Sequence, residues 1–245
     1  MAYEETRVGT CGFRMNKYEY SDVLKTVEIQ HTFYQPPQVK TLEKWRSEMA
    51  EDFEFTLKAW QLITHESTSP TYKRLKKNLT EKEAEGSGFF KPTDIVQEGL
   101  ETTLACARAL KARTILFQCP AKFTQTANNI KNLRRFFKKA DRGEMNFAWE
   151  PRGPWEDKVV KQICDDLGLW HCVDPFVRRT VTPERCYYRL HGIGGWRYRY
   201  EDVELDELVG LLPEDALSYV FFNNNVMTED AIRFERLINS HSRYL

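Results

Sequence analysis

The chain has 245 residues, 41% of them apolar and 29% charged, which is typical of a globular protein and excludes intrinsic disorder. Lys+Arg and Asp+Glu balance at 36 each, so no overall charge favours nucleic acid or an anionic membrane, and such a partner would need a local patch. The six scattered cysteines include no Cys-x-x-Cys pair, which favours reduced thiols over disulfides or structural zinc. The sequence lacks a long apolar run and an apolar N-terminal segment, so we expect a cytoplasmic protein without membrane contact.

Short β-like segments alternate with helical patterns along the whole chain. The expected strands occupy residues 8–13, 26–30, 53–60, 114–118, 146–150, 169–173, 186–192 and 218–222. Apolar residues at helical spacing follow most of them, and Asp94 and Thr228 are expected to cap two of the helices. Eight strand–helix units in a chain of this length predict an α/β fold, a (β/α)₈ TIM barrel that forms a single domain over residues 1–245.

Two segments depart from the simple alternation. Residues 66–93 form a long insertion with a lysine-rich run at 73–77 and a glycine-rich, flexible tip at 86–90, so either a lid over the site or a mobile surface excursion is expected. The helix around 130–140 carries the strongest basic patch. A charge run at helical spacing is usually a solvated face, and nucleic-acid binding is the alternative interpretation.

Polar and ionisable residues lie where the predicted strands end. They are Cys11, Glu28, Lys58, Gln118, Glu150, Asp174, Arg189, His191 and Asn223. A barrel gathers these strand ends on one face. A charged side chain placed there is either paired with a countercharge or takes part in binding or catalysis, so the sequence predicts a functional pocket at the C-terminal face. Glu150 is central, because three apolar residues lead into it and a Pro-Arg-Gly-Pro turn follows. The alternative is that Glu150 only pairs with Arg152 and fixes this turn.

Several short motifs follow one another nearly from end to end of the chain. They span residues 8–13, 27–34, 55–65, 118–120, 149–155, 188–192 and 221–224. In these segments the chain resembles the (β/α)₈-barrel family called domain of unknown function 72, or YecE-like. Cys11 stands where that family usually has serine, and Pro151 separates Glu150 from Arg152. The resemblance implies the barrel fold, leaves the activity unsettled, and suggests kinship with barrels that act on phosphorylated or nucleic-acid substrates, such as the endonuclease IV-like group.

The first functional hypothesis is a barrel that binds or processes an anionic, nucleotide-like or nucleic-acid substrate. Lys58, Arg189 and Arg152 would hold phosphate, and Glu150 with His191 would transfer protons. Aromatic faces such as Tyr34, Trp149 and Trp196 offer surfaces on which a base could stack. The expected catalytic residues are Glu150, His191, Lys58 and Asp174, and the expected substrate-binding residues are Glu28, Arg152, Arg189, Gln118, Asn223, Asn224, Tyr34, His65 and Trp149.

Three other functions compete with this hypothesis. A phosphoesterase could use one divalent metal on Glu28, His31, Glu150, Asp174 and His191, although five histidines are too few for a multi-zinc centre. A non-catalytic RNA-binding accessory protein could use the basic helix and the 73–77 run. A glycosidase with Glu28 and Glu150 ranks last, because Lys58 and Arg189 have no task in it. The cofactor is therefore undetermined, a hydrolase activity is one option, and no protein partner is indicated.

Overall fold

Eight parallel strands form a closed barrel in the order β1 to β8. The computed structural model describes residue 3, residues 5–214 and residues 216–244, with residues 241–244 described by their backbone alone. The strands are Thr6–Thr10 (β1), Thr26–Ile29 (β2), Glu54–Lys58 (β3), Thr114–Gln118 (β4), Asn146–Glu150 (β5), Leu169–Val173 (β6), Tyr187–Leu190 (β7) and Ser218–Phe222 (β8). The predicted (β/α)₈ barrel is confirmed, and the strand rich in aliphatic residues at 114–118 has the predicted bounds.

Helices occupy the intervals between the strands. They are Lys17–Val23 (α1), His31–Tyr34 (α2), Val39–Ser47 (α3), Gln61–Thr64 (α4), Glu81–Gly86 (α5), Asp94–Leu110 (α6), Ala127–Lys139 (α7), Asp157–Leu167 (α8), Asp202–Val209 (α9) and Met227–Tyr244 (α10), with a 3₁₀ helix at Pro70–Arg74. The predicted caps lie inside the helices, since Asp94 is the first residue of α6 and Thr228 is the second residue of α10. Of the described helices, none combines the length and the apolar run that crossing a bilayer requires.

Backbone contacts divide the chain into two compact units. The first comprises Met1–Glu28, Met49–Glu54 and Trp170–Leu245, and the second comprises Ile29–Glu48 and Phe55–Leu169. In the first unit, aromatic side chains of β7 and β8 pack together, with the rings of Tyr187 and Phe221 5.3 Å apart. Both faces of a parallel strand are buried in such a fold, which explains why these strands are almost wholly apolar. The organisation as a single domain stays a prediction.

The insertion at 66–93 is packed into the second unit. Phe90 is 1% exposed, and its ring lies 5.4, 5.1 and 5.4 Å from those of Phe123, Phe136 and Phe137. The Gly88 amide donates to the Leu62 carbonyl and the Phe90 amide donates to the Ile63 carbonyl. The expectation of a flexible tip is therefore wrong, because aromatic burial and these backbone bonds hold 86–90 in place.

Substitution of Gly88 by Ala tests this packing. Gly88 has φ +78°, and a Cβ there would lie 2.4 Å from the His65 carbonyl carbon. Gly143 has φ +53° but open space around it, so Gly143→Ala adds only the left-handed strain and serves as the matched control. We expect Gly88→Ala to lower the free energy of unfolding by about 1–2 kcal/mol more than the control does, measured by urea denaturation. Equal losses in both variants would show that the tip is loosely held.

Candidate functional site

The second unit brings together five of the predicted site residues at the ends of β3, β4 and β5, namely Lys58, His65, Gln118, Glu150 and Arg152. We call this group the β3–β5 cluster. Lys58, Gln118 and Glu150 are the last residues of their strands and are each 6% exposed. Gln118 and Glu150 are register partners in the β4–β5 pair. The Glu150 Oε1 atom accepts from Gln118 Nε2 at 3.2 Å and from Arg152 Nε at 2.6 Å. The carboxylate of Glu150 is thereby fixed in direction.

Two neighbouring residues position Lys58, one through its side chain and one through its backbone carbonyl. Its Nζ atom lies 3.6 Å from the ring centroid of Phe33, a cation–π contact that contributes about 2 kcal/mol where the pair is shielded from water. Phe33 also packs against the His65 ring, with centroids 4.9 Å apart. Thr32 Oγ1 donates to the Lys58 carbonyl at 2.7 Å. The ammonium group is therefore positioned by residues of the short helix α2.

His65 reports the electrostatic character of the cluster. Its Nδ1 atom lies 2.8 Å from Thr64 Oγ1, and its carbonyl accepts from the Tyr72 hydroxyl at 2.7 Å. Burial, followed by the charges of Lys58 and Arg152, lowers the pKa of His65 to about 3, while Glu150 acts in the opposite direction and less strongly. His65 is thus neutral at physiological pH, and the two cations outweigh the carboxylate at its ring.

Aromatic side chains of the second unit differ in what they can contact. The Arg74 guanidinium lies 3.6 Å from the ring centroid of Tyr34, which is half-buried. Trp149, by contrast, is fully buried, donates from Nε1 to Cys119 Sγ at 3.3 Å and packs edge-to-face on Trp155. The predicted role of Trp149 as a stacking surface is corrected, because no ligand reaches a ring buried in the core.

In the first unit, Glu28 and Arg189 form a buried ion pair. Arg189 is 1% exposed and Glu28 is 0% exposed. Arg189 Nε and Nη2 lie 3.1 and 3.0 Å from Glu28 Oε1, and the Tyr187 hydroxyl donates to Glu28 Oε2 at 2.7 Å. The phosphate-binding role predicted for Arg189, and the substrate-binding role of Glu28, do not fit this geometry, because both side chains are buried in the core and bound to each other.

Cys11 completes the buried ion-pair network. Its thiol donates to Glu28 Oε1 at 3.3 Å, and Arg189 Nη2 lies 3.5 Å from the sulfur. Burial raises the pKa of the Cys11 thiol; the Arg189 guanidinium acts in the opposite direction and the Glu28 carboxylate in the same direction, both less strongly than burial. The protonated thiol is the form that donates to a carboxylate, so Cys11 acts as a hydrogen-bond donor in the core and not as a nucleophile.

Asp174 and His191 also meet within the first unit. Asp174 Oδ2 accepts from the His191 backbone amide at 2.9 Å and lies 3.6 Å from His191 Nδ1. Asp174 Oδ1 accepts from the Phe176 amide at 3.2 Å. The carboxylate thus anchors two loop backbones and orients the imidazole, whose side chain is 31% exposed. This pair keeps an accessible histidine, and its predicted catalytic role stays a prediction.

The two asparagines after β8 have different environments. Asn224 is buried, and its Nδ2 atom donates to Asp230 Oδ2 at 2.7 Å and to the Tyr198 carbonyl at 2.8 Å. Asn223 is half-buried and its backbone amide donates to the Leu190 carbonyl at 2.8 Å. Asn224 therefore fixes the loop around Tyr198, which explains its position better than contact with a substrate.

Metal binding was tested on the donor set that the sequence suggested. Within the ranges that the structure describes, no three His, Cys, Asp or Glu side chains gather as metal ligands do. Glu28 is already paired with Arg189, and His31 is exposed beside the Trp45 ring. Within the described residues, the expected ligands Glu28, His31, Glu150, Asp174 and His191 therefore do not form one metal site.

Two contributors to the β3–β5 cluster were missed by the sequence reasoning. Phe33 provides the ring over which Lys58 lies, and Arg74 covers Tyr34. The signal for Phe33 was its place directly before Tyr34 in a segment that follows a strand end. Arg74 lay in the basic 73–77 run, where nothing distinguishes one cation from its neighbours without the fold.

Comparison with known proteins identifies the family. A family model described as "Protein of unknown function DUF72" matches residues 14–242. The UPF0759 protein YunF of Bacillus subtilis (strain 168) is 24% identical over 242 residues, covering 84% of this chain and 79% of that protein. A DUF72 family protein of Enterococcus faecalis V583, solved by crystallography, is 23% identical, with 96% of this chain and 97% of that chain covered and a TM-score of 0.70.

More distant structures share the barrel. Endonuclease IV from Thermus thermophilus is 12% identical, with a TM-score of 0.52 over 98% of this chain and 100% of that chain. At this level of identity the likeness concerns the fold alone. A barrel of this type supports many chemistries, so the reaction has to be argued from the side chains described above.

Proposed function

The chain belongs to the DUF72 family, and for this member we propose that the β3–β5 cluster binds a phosphate-bearing, nucleotide-like anion. One observation carries the proposal: the cluster holds two cations, the buried Lys58 and the half-exposed Arg152, against the single carboxylate of Glu150. A site whose cations dominate in a partly dehydrated environment attracts an anion, since charge interactions are stronger there than in water.

Phosphate suits the two cations of the cluster better than other anions do. A lysine offers a compact point charge, and a guanidinium binds two phosphate oxygens in one plane. Lys58 is fixed over Phe33, whereas the Arg152 side chain is 41% exposed and can reach outward. A buried cation with an accessible partner can hold the inner and outer sides of one phosphate group. Tyr34, half-buried beneath Arg74, offers a ring for a nucleotide base.

Proton transfer in the bound complex is assigned to Glu150 and His65. A dianionic ligand beside His65 opposes the effect of Lys58 and Arg152, so it shifts the pKa of His65 upward from about 3. The imidazole thereby becomes able to exchange a proton in the complex although it stays neutral in the free protein. Glu150, oriented by Gln118 and Arg152, is the accompanying carboxylate. His65 replaces His191 in this role because it lies in the same cluster as Glu150.

The experiment is a titration of the protein with AMP and with inorganic phosphate, followed by NMR of the His65 ring protons and by calorimetry. We expect AMP to bind, to shift the His65 resonances and to raise its pKa. Lys58→Ala should weaken AMP binding at least about tenfold, because about 1.4 kcal/mol or more of charge interaction is lost. Lys40→Ala, which removes an exposed lysine from α3, is the matched control and should bind as the unmodified protein does.

Glu150→Gln separates binding from chemistry. This change removes the opposing negative charge, so AMP binding should be kept or strengthened, while any turnover of a phosphorylated substrate is lost. Unchanged AMP affinity in Lys58→Ala together with an unmoved His65 pKa would overturn the proposal. Loss of AMP binding in Lys40→Ala as well would show a general charge effect and would overturn it too.

A further inference from the structure

A groove on the outside of the second unit lies between α5, residues 91–93 and α7. Its cavity has a volume of about 570 Å³, and among the residues that line it are Lys82, Lys91, Lys131, Asn132 and Arg135. An adjoining cavity of about 190 Å³ shares Lys91 and Arg135 with it and extends it to Lys139. We call the two together the α5–α7 groove. It has no residue in common with the β3–β5 cluster.

The charges that line the α5–α7 groove are mainly positive. Five cations line it, Lys82, Lys91, Lys131, Arg135 and Lys139, against the two carboxylates Glu85 and Asp94. Lys91 is paired with Glu66 at 3.2 Å. The other four cations have no carboxylate within salt-bridge distance in the part of the chain that the structure describes, so their field is not neutralised by the protein.

A neighbouring residue of α7 shows that this imbalance is local. Arg134, on the same helix, pairs with Asp166 of α8 at 2.7 Å. Lys131, Arg135 and Lys139 follow at intervals of four residues and therefore stand in one row, with a rise of about 6 Å between neighbours. A row of evenly spaced cations matches a chain that repeats its anion at regular intervals.

Asn132 adds a neutral polar group to the lining of the groove. The residue is 8% exposed and lines the groove, yet its side-chain amide makes no hydrogen bond within the described residues. Asn129, one turn earlier, is satisfied by the Thr124 carbonyl at 2.8 Å. The amide keeps contact with solvent in the groove and is available to a ligand, and phosphate and ribose oxygens are partners that an asparagine commonly takes in nucleic-acid complexes.

The adjoining cavity adds an apolar floor. Val96, Leu100 and Phe136 line it beneath Arg135 and Lys139. In a single strand the bases are free to turn away from the backbone and enter such a cavity, which the bases of a duplex cannot do. We propose that the α5–α7 groove binds the phosphodiester backbone of single-stranded nucleic acid, with the row on α7 along the phosphates and Asn132 on a phosphate or sugar oxygen.

The test measures fluorescence anisotropy of a short oligo-uridine RNA and of oligo-thymidine DNA over a range of salt concentrations. We expect Lys131→Ala, Arg135→Ala and Lys139→Ala each to weaken binding and to reduce the slope of log affinity against log salt by about 0.7, the value for one phosphate contact on a single strand. Lys138→Ala, an exposed lysine of the same helix that does not line the groove, is the matched control and should change neither quantity.

Two further measurements sharpen the result. Asn132→Ala should weaken binding several-fold and leave the salt slope unchanged, because a neutral contact is removed. Lys131→Ala should bind AMP as the unmodified protein does, so that failure of the groove and failure of the β3–β5 cluster are distinguishable. The proposal is overturned if Lys138→Ala loses as much affinity as Lys131→Ala, or if poly-glutamate competes as well as oligo-uridine of equal charge.

Discussion

Replacing Glu28 by Gln is expected to lower the free energy of unfolding by about 3–5 kcal/mol, the usual cost of breaking a buried ion pair on one side. The glutamine keeps the size of the side chain and much of its hydrogen bonding to Tyr187, so the loss comes from the uncompensated charge of Arg189. Because Arg189 is only 1% exposed, water cannot hydrate its guanidinium in place of the lost carboxylate. Denaturation in guanidinium chloride, followed by circular dichroism, measures the difference.

A double-mutant cycle isolates the pair itself. Arg189→Met should be destabilising to a similar extent, while the double variant Glu28→Gln with Arg189→Met should lose less than the sum, because no unpaired charge remains. Asp165→Asn, which breaks the exposed Lys161–Asp165 pair, is the control and should cost under about 0.5 kcal/mol. Strictly additive losses in the cycle would contradict the assignment of Glu28 and Arg189 as a structural unit.

Acid sensitivity is the second large effect, and His65 is its source. The pKa of His65 is about 3 in the folded protein and 6.5 in an ordinary environment. Between pH 3 and pH 6.5 the imidazole is therefore mainly protonated in the unfolded chain and mainly neutral in the folded protein. His65 therefore leaves the free energy of unfolding undiminished above pH 6.5 and lowers it progressively as the pH falls towards 3. Linkage gives a loss of about 2 kcal/mol at pH 5 and about 4 kcal/mol at pH 3 from this residue alone.

The His65→Gln variant removes this titration. We expect its free energy of unfolding to fall less steeply between pH 6.5 and pH 4 than that of the unmodified protein, whatever its stability at neutral pH. Urea denaturation at a series of pH values gives both slopes, and identical slopes for His65→Gln and the unmodified protein would refute a buried neutral histidine.

The sequence predicted the fold well because the barrel strands are short apolar runs bounded by turn residues. The bounds of four strands, 114–118, 146–150, 169–173 and 218–222, agree with the structure. The prediction was less good where local signals compete with packing. Residues 86–90 contain two glycines, which favour flexibility, but Phe90 finds three aromatic partners that only the folded chain brings near.

The candidate site was predicted in part. Strand-end position identified Lys58, Gln118 and Glu150, which the structure does place together in one unit. The same criterion selected Glu28 and Arg189, which the structure buries against each other. Position along a strand does not reveal whether a charge faces solvent or a countercharge, because the partner comes from a strand more than 150 residues away in the chain. The single pocket expected from the strand ends stays a prediction.

The buried cysteines have a consequence for how unfolding of this protein can be followed. All six thiols are buried, with Cys11, Cys172 and Cys186 in one compact unit and Cys106, Cys119 and Cys164 in the other. Alkylating reagents attack the thiolate, and burial raises the pKa of Cys11 and of Cys119. Each sulfur is thus protected until the surrounding chain opens. Each compact unit thus contains three buried cysteines whose rates of alkylation report its local opening. Measuring these rates by mass spectrometry follows the opening of each unit separately.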